Sequence, residues 1–150
     1  MKILVLNGSP KGKYSITLQT IKFLQLKNPD QEFEVLNVGQ QIKKFEKDFS
    51  SAKDKLENAD LLIFSYPVYT FIAPYQLHRF IELLKESKTD LSEKFATQFS
   101  TSKHFYDITA HNYIRDNCFD LGFKYIKGLS ADMDDLLSEK GQKEAKEFFD

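Results

Sequence analysis

Lys2-Ile3-Leu4-Val5-Leu6, running into Asn7-Gly8-Ser9-Pro10-Lys11-Gly12-Lys13-Tyr14-Ser15-Ile16-Thr17, is the stretch on which the fold reading turns. The run from Lys2 to Leu6 is aliphatic and β-branched without polar alternation, the pattern of a strand buried on both faces, and Asn-Gly-Ser-Pro ends it in a turn. From Ser15 to Lys27, Leu18, Ile21 and Leu24 recur at helical spacing with Phe23 and Leu26 beside them. Ser15 stands as a candidate N-cap and Asn28-Pro29 as the stop. The opening unit is therefore strand, loop, helix, and a strand buried on both faces requires neighbours.

Working outward, Phe33 to Val38 reads as a second strand whose mixed polarity suits a sheet edge, with Gly39 closing it. Residues 40–58 carry scattered Ile42, Phe45, Phe49 and Leu56 among Lys, Glu and Ser, and read as a loop leading into a short amphipathic helix that ends near Asn58. Leu61-Leu62-Ile63-Phe64-Ser65-Tyr66 is the most apolar run, cut by Pro67, and is the candidate central strand. Pro74 then opens a helix to about Lys85 with Leu77, Phe80, Ile81 and Leu84 on one stripe. Phe95 to Thr101 is a fourth strand, weakened by Gln98. Ala110, Tyr113, Ile114, Cys118 and Leu121 mark a helix that Gly122 terminates. Tyr125 to Leu129 is a fifth strand, and Met133, Leu136, Leu137, Ala145 and Phe148 give a last helix to the chain end.

Five strands alternating with helices, without a linker or repeat, predict one three-layer α/β domain over residues 1–150, with a parallel sheet and helices on both faces. In such sheets ligands sit beyond the carboxyl ends of the strands, where strand order reverses. Three loops follow as candidates: 7–16, 67–73 and 100–107.

Composition narrows the function classes. Of 150 residues 41% are hydrophobic and 29% charged, with 6 Gly and 4 Pro, which excludes a disordered or collagen-like chain. Lys and Arg number 21 against 22 Asp and Glu, so no basic excess favours nucleic acid or an anionic membrane, and any anion must be caught locally. Cys118 is the single cysteine and supplies neither a disulfide nor a thiolate metal site. The apolar run at residues 3–6 is far too short for a signal peptide or a membrane span, so the expected location is the cytoplasm.

Loop 7–16 joins a buried strand to a helix N-terminus, where unpaired N–H groups and the helix dipole favour an anion. Gly8 and Gly12 permit close approach, Ser9, Ser15 and Thr17 offer hydroxyls, and Lys11 and Lys13 offer charge. That is the wiring of a phosphate cradle, although the same residues also make an ordinary capped turn. A Walker loop is excluded, because three residues rather than four separate Gly8 from Gly12-Lys13, and Tyr14 follows. The dinucleotide fingerprint is excluded because Pro10 stands where its second Gly belongs.

Asn7-Gly8-Ser9-Pro10-Lys11, with Ser15 and Thr17 further on, resembles the FMN-phosphate loop of the flavodoxin-like NAD(P)H-dependent FMN reductases and quinone reductases. Pro67-Val68-Tyr69, with Pro74 and Leu77 behind it, resembles that family's second flavin loop. The resemblance implies a five-stranded sheet of order 2-1-3-4-5 and one non-covalent FMN. Ser9, Lys11, Ser15 and Thr17, with the backbone N–H of Ile16, would hold its phosphate; Ile16 stands where the family usually has Asn. Pro67, Val68, Tyr69, Thr70 and Phe71 would border the isoalloxazine, with Val68 and Tyr69 presenting N–H groups. Tyr66, Tyr69 and Phe71 also read as ordinary core or surface aromatics in a Phe-rich chain, and for Phe71 alone that is the preferred reading. Ser100, Thr101, Ser102, Lys103 and His104 would form the third contact, with Lys103-His104 replacing the family's glycines. A cation there would stabilise the negative charge that develops on flavin reduction and raise its potential.

The implied activity is transfer of hydride from NAD(P)H to FMN and onward reduction of a quinone, a free flavin or another acceptor, with no catalytic side chain and no metal. The resemblance also implies a homodimer. Two other readings stay open: a flavodoxin-type one-electron carrier between redox partner proteins, and a flavodoxin-fold regulatory module without flavin. His78, near Glu82, and His111, between Asp107 and Arg115, read as members of surface ion-pair rows. Cys118 reads as a small core residue.

Overall fold

The computed structural model describes residues 1–103 and 106–150. Its elements follow in order: β1 (Lys2–Asn7), α1 (Ile16–Lys27), β2 (Glu32–Leu36), α2 (Val38–Lys47), α3 (Ser50–Asn58), β3 (Leu61–Pro67), α4 (Tyr75–Glu86), β4 (Phe95–Ser102), α5 (Ile108–Asp120), β5 (Lys124–Tyr125), β6 (Leu129–Asp132) and α6 (Glu139–Phe149). The sheet is parallel throughout, in the order β2-β1-β3-β4-β5, with β6 also paired to β4. This is the expected α/β architecture and the expected order.

Alternation along the central strands divides the core. Leu4, Leu6, Leu62, Phe64 and Tyr66 face a cluster completed by Ile42 and Phe45 of α2, Leu77, Phe80 and Leu84 of α4, and Ile114 and Cys118 of α5. Ile3, Val5, Leu61, Ile63 and Phe99 face the opposite cluster with Leu18 and Ile21 of α1, and Phe148 and Phe149 of α6 pack against it. All seven residues of β3 are buried, as its unbroken apolar run predicts. Phe45, Phe49 and Phe80 form an aromatic knot, with ring centroids 5.3 to 6.4 Å apart, that fastens α2 to α4.

Three local expectations are corrected. Residues 38–58 hold two helices rather than a loop and one helix, and Gly39 lies inside α2 instead of closing β2. The fifth strand position is split: β5 pairs with the start of β4 and β6 with its end, and the break lies where Gly128 presses on Gln98. The last helix starts at Glu139; Met133 precedes a short 3₁₀ turn over Asp135–Leu137. Gly122 does stop α5, at φ +84°.

Parallel register brings the ends of β1, β3, β4 and β6 to one edge of the sheet, with Asn7 level with Ser65 and Pro67 level with Thr101. The chain runs outward from β1 to β2 and then returns to β3 on the other side, so the crevice at this edge is the place for a ligand. No helix of the described residues is long and apolar enough to cross a membrane.

Candidate functional site

The loop after β1 is wired by a buried asparagine. Asn7 Nδ2 donates to Gly12 O at 3.1 Å and to Asn37 Oδ1 at 3.0 Å, while its Oδ1 accepts from the Ser9 N–H at 3.3 Å. The Gly8 N–H donates to Ser65 O at 2.8 Å and the Gly12 N–H to Ser9 O at 3.1 Å. Ser9 Oγ accepts from the Lys11 N–H at 3.2 Å, which leaves its own proton to donate. Side chains at 7 and 37 thus hold a turn that β1 alone would not specify.

This loop delivers Ser15 to the N-cap of α1, where its side chain makes no capping hydrogen bond. The first helical residues, Ile16 and Thr17, have N–H groups without an intrahelical acceptor. Ser9, Lys11, Ser15, Ile16, Thr17, Pro67, Tyr69, Thr101 and Met133 enclose a pocket of about 70 Å³. Thr17 and Thr101 hydroxyls meet at 2.7 Å, joining the first loop to the end of β4. No carboxylate lines the pocket, and among the described residues none lies within ion-pair reach of Lys11. Hydroxyl donors, free helical N–H groups and one cation form a donor set that suits an anion of phosphate size.

Beside it opens a cleft of about 410 Å³ lined by Val68, Tyr69, Thr70, Phe71, Ser102, Lys103, Tyr106 and Met133. Tyr69 and Met133 belong to both cavities, so the two adjoin. The Phe71 and Tyr106 rings, both in this lining, have centroids 5.6 Å apart. Phe71 has φ +63° and the Ile72 N–H donates to Thr70 O at 2.8 Å, a tight turn that a bulky L-residue adopts only under strain. That strained turn leaves Tyr69 and Phe71 more than half exposed, as walls for a flat apolar ligand.

Most residues singled out in the sequence come together here, with exceptions. The Val68 N–H is not presented to the cleft, because it donates to Thr101 O at 2.8 Å. Ser100 lines neither cavity: it is fully buried, its Oγ 2.7 Å from His111 Nε2. His104 lies outside the described residues. Tyr106 comes from the candidate loop 100–107, although it is not among the contacts expected there; Met133, whose only sequence signal is helical spacing, arrives from the segment after β6.

Neither of the other histidines is a surface ion-pair residue. His111 packs under β4 beside Ser100 and Asp107, and burial pushes its imidazole below the usual value, with the Asp107 carboxylate pulling the other way. His78 stacks on Tyr113 at 4.0 Å, and burial pulls it down likewise, opposed by Glu82. Cys118 is buried as expected, its thiol pushed up to about 12, hence unreactive. Since both imidazoles are depressed in the folded chain, the unfolded chain binds more protons just below about pH 6.5. Stability is full above that value and falls as pH drops through it. The urea midpoint should decline between pH 7.5 and 5.5, and a His78→Gln, His111→Gln double variant should decline less; equal declines would refute the assignment.

A family model described as flavodoxin-like fold matches residues 1–95. No curated protein sequence matches. Among solved structures, an NADH:FMN oxidoreductase in its apo form is similar with 20% identity and a TM-score of 0.81, over 97% of this chain and 84% of that one. An NAD(P)H:quinone oxidoreductase from Methanothermobacter marburgensis is similar at 13% identity and TM-score 0.75, over 98% of this chain and 93% of its own. An FMN-dependent NADH-azoreductase from Bacillus anthracis in complex with FMN aligns at 13% identity and TM-score 0.72, over 98% and 97% of the two chains. At these identities the likeness is one of fold.

Proposed function

The chain belongs to the flavodoxin-like fold family, and from that premise we propose that it binds FMN non-covalently and acts as an NAD(P)H-dependent oxidoreductase that reduces a small-molecule acceptor such as a quinone or a free flavin. The observation that carries this reading is that an anion pocket whose lining holds no carboxylate adjoins an aromatic-walled cleft, with Tyr69 and Met133 lining both. One ligand with a phosphate at one end and a flat ring at the other satisfies both. Names borne by the structural neighbours, an NADH:FMN oxidoreductase and a quinone oxidoreductase among them, support the same choice.

The residues present fit the group. Ser9, Ser15 and Thr17 hydroxyls, the Ile16 and Thr17 N–H groups and the Lys11 ammonium would replace the hydration of the phosphate. Tyr69, Phe71, Tyr106 and Met133 would wall the ring and exclude water, and Lys103 would supply positive charge at its edge. The chemistry supplied by FMN when bound is acceptance of a hydride from NAD(P)H and return of two electrons to the acceptor. The protein's part is placement and electrostatics.

Titration of the purified protein with FMN, followed by anaerobic addition of NADH or NADPH, tests the reading. Tight FMN binding and bleaching of its visible absorbance are expected; no binding at micromolar protein would refute it. Lys11→Ala should weaken FMN binding about tenfold or more, the scale of a charge-assisted hydrogen bond, and leave riboflavin, which lacks the phosphate, unaffected.

A further inference from the structure

We propose that Asp107 and His111 are positioning residues: with Ser100 they tie the end of β4 to the first turn of α5, and so hold Ser102, Lys103 and Tyr106 in place against the flavin ring. The inference rests on the flavin reading above and extends it to groups that line neither cavity.

Asp107 occupies the N-cap of α5, where a carboxylate ordinarily accepts from N–H groups of the first helical turn. It makes no such bond. Its Oδ2 instead accepts from Ser100 Oγ at 3.5 Å and lies 3.6 Å from His111 Nε2, while Ser100 Oγ and His111 Nε2 are 2.7 Å apart. Ser100 is 0% exposed and Asp107 7%, so a carboxylate has been taken out of water and away from its helix to complete this cluster. Burying it is unfavourable unless its partners are held in place. The His111 carbonyl is fixed as well, accepting from Gln98 Nε2 at 2.9 Å.

The geometry gives the cluster its consequence. Ser100 lies two residues before Ser102 and Asp107 directly follows Tyr106, and the two are in contact. Ser102 and Lys103 follow Ser100, Tyr106 immediately precedes Asp107, and all three line the ring cleft. Thr101, on the opposite face of β4, lines the anion pocket and bonds Thr17 and Val68. The cluster therefore anchors both the strand end and the helix start from which the cleft wall is built. A wall ordered before binding loses less conformational freedom when the ligand arrives.

The test compares Ser100→Ala, His111→Leu and His111→Gln, each checked for folding by thermal denaturation, in binding to FMN and to riboflavin by flavin fluorescence. Because the anchored wall serves the ring rather than the phosphate, Ser100→Ala and His111→Leu should weaken both flavins by the same factor, about tenfold. His111→Gln, whose amide keeps a donor near the Nε2 position, should recover affinity to within about twofold; a residue that merely filled space would be rescued by leucine as well. If His111→Leu does not fold, Ser100→Ala carries the test with a smaller change in volume. A wild-type protein that binds both flavins, with Ser100→Ala binding them equally well, would overturn this proposal alone. Loss for FMN but not riboflavin would also overturn it. A wild type that binds neither flavin would overturn the functional reading and this proposal with it.

Discussion

Gly39→Ala is expected to weaken FMN binding by a hundredfold or more, about 2.7 kcal/mol, and to lower folding stability by about 1–3 kcal/mol. A Cβ built on Gly39 would stand 2.2 Å from Ser9 O, 2.4 Å from Ser9 C and 2.7 Å from Gly8 O, all of them backbone atoms. Either α2 or the phosphate loop has to move. Helix α2 is anchored by buried Ile42 and by Phe45 in the aromatic knot with Phe80, so the loop is the part that gives. The hydrogen bonds that shape it meet at Ser9: its N–H on Asn7, its Oγ under the Lys11 N–H, its carbonyl under the Gly12 N–H. Moving Ser9 therefore disperses the donor set as a whole. Gly122→Ala is the control: its φ of +84° makes the variant strained, but the nearest atom is 3.9 Å away and the site is remote from both cavities, so stability should fall by about 1 kcal/mol with FMN affinity unchanged. Titration and urea unfolding of both variants decide it, and wild-type affinity in Gly39→Ala would refute the argument.

That same glycine shows where reading the sequence stops. Gly39 follows a strand-like run, and local chemistry makes it a terminator; its actual role, admitting Ser9 O against a helix, involves a residue thirty positions away. Helix α2 was missed with it, because Val38, Ile42 and Phe45 are a thin apolar stripe among Lys and Gln, and the helix is secured by packing on α4. The strands were legible because β1 and β3 are buried on both faces, and that burial writes a continuous apolar run. β5 and β6 were read as one strand, since nothing within Tyr125–Leu129 announces that Gly128 must pass Gln98 closely.

The candidate site divides in the same way. Ser9, Lys11, Ser15, Ile16 and Thr17 fall within one short stretch of chain and line one pocket, so a motif could carry them. Met133 reaches the site only because parallel register sets the ends of β4 and β6 side by side. The i, i+4 spacing correctly paired His111 with Asp107, but exposure is a property of the sheet above them, and Ser100 belongs to another element.

Gln98, the residue that weakened the fourth strand as a reading, is the centre of a buried polar layer, and its replacement by leucine should cost about 3–5 kcal/mol of folding stability, a large share of the ~5–15 kcal/mol that holds a domain together. Gln98 is 0% exposed; its Oε1 accepts from Tyr66 OH at 2.5 Å, and its Nε2 donates to His111 O at 2.9 Å and to Tyr125 OH at 2.5 Å. The amide thus joins β3, β4, β5 and α5 through one side chain. Leucine fills nearly the same volume, so the expected loss is not a cavity. It comes from a Tyr66 hydroxyl, also 0% exposed, left without its acceptor, worth about 1–3 kcal/mol when stranded away from water, and from the lost bonds to the Tyr125 hydroxyl and to the His111 carbonyl, about 1 kcal/mol each, the carbonyl keeping its donor within α5. That origin has a signature. Adding Tyr66→Phe to Gln98→Leu removes one stranded group and should restore about 1–2 kcal/mol, whereas Tyr66→Phe alone should destabilise by stranding the amide. Urea unfolding of the two single variants and the double variant closes the cycle; strictly additive losses would mean that the layer is packed rather than hydrogen-bonded, and that its polarity contributes nothing to holding β4 between its neighbours.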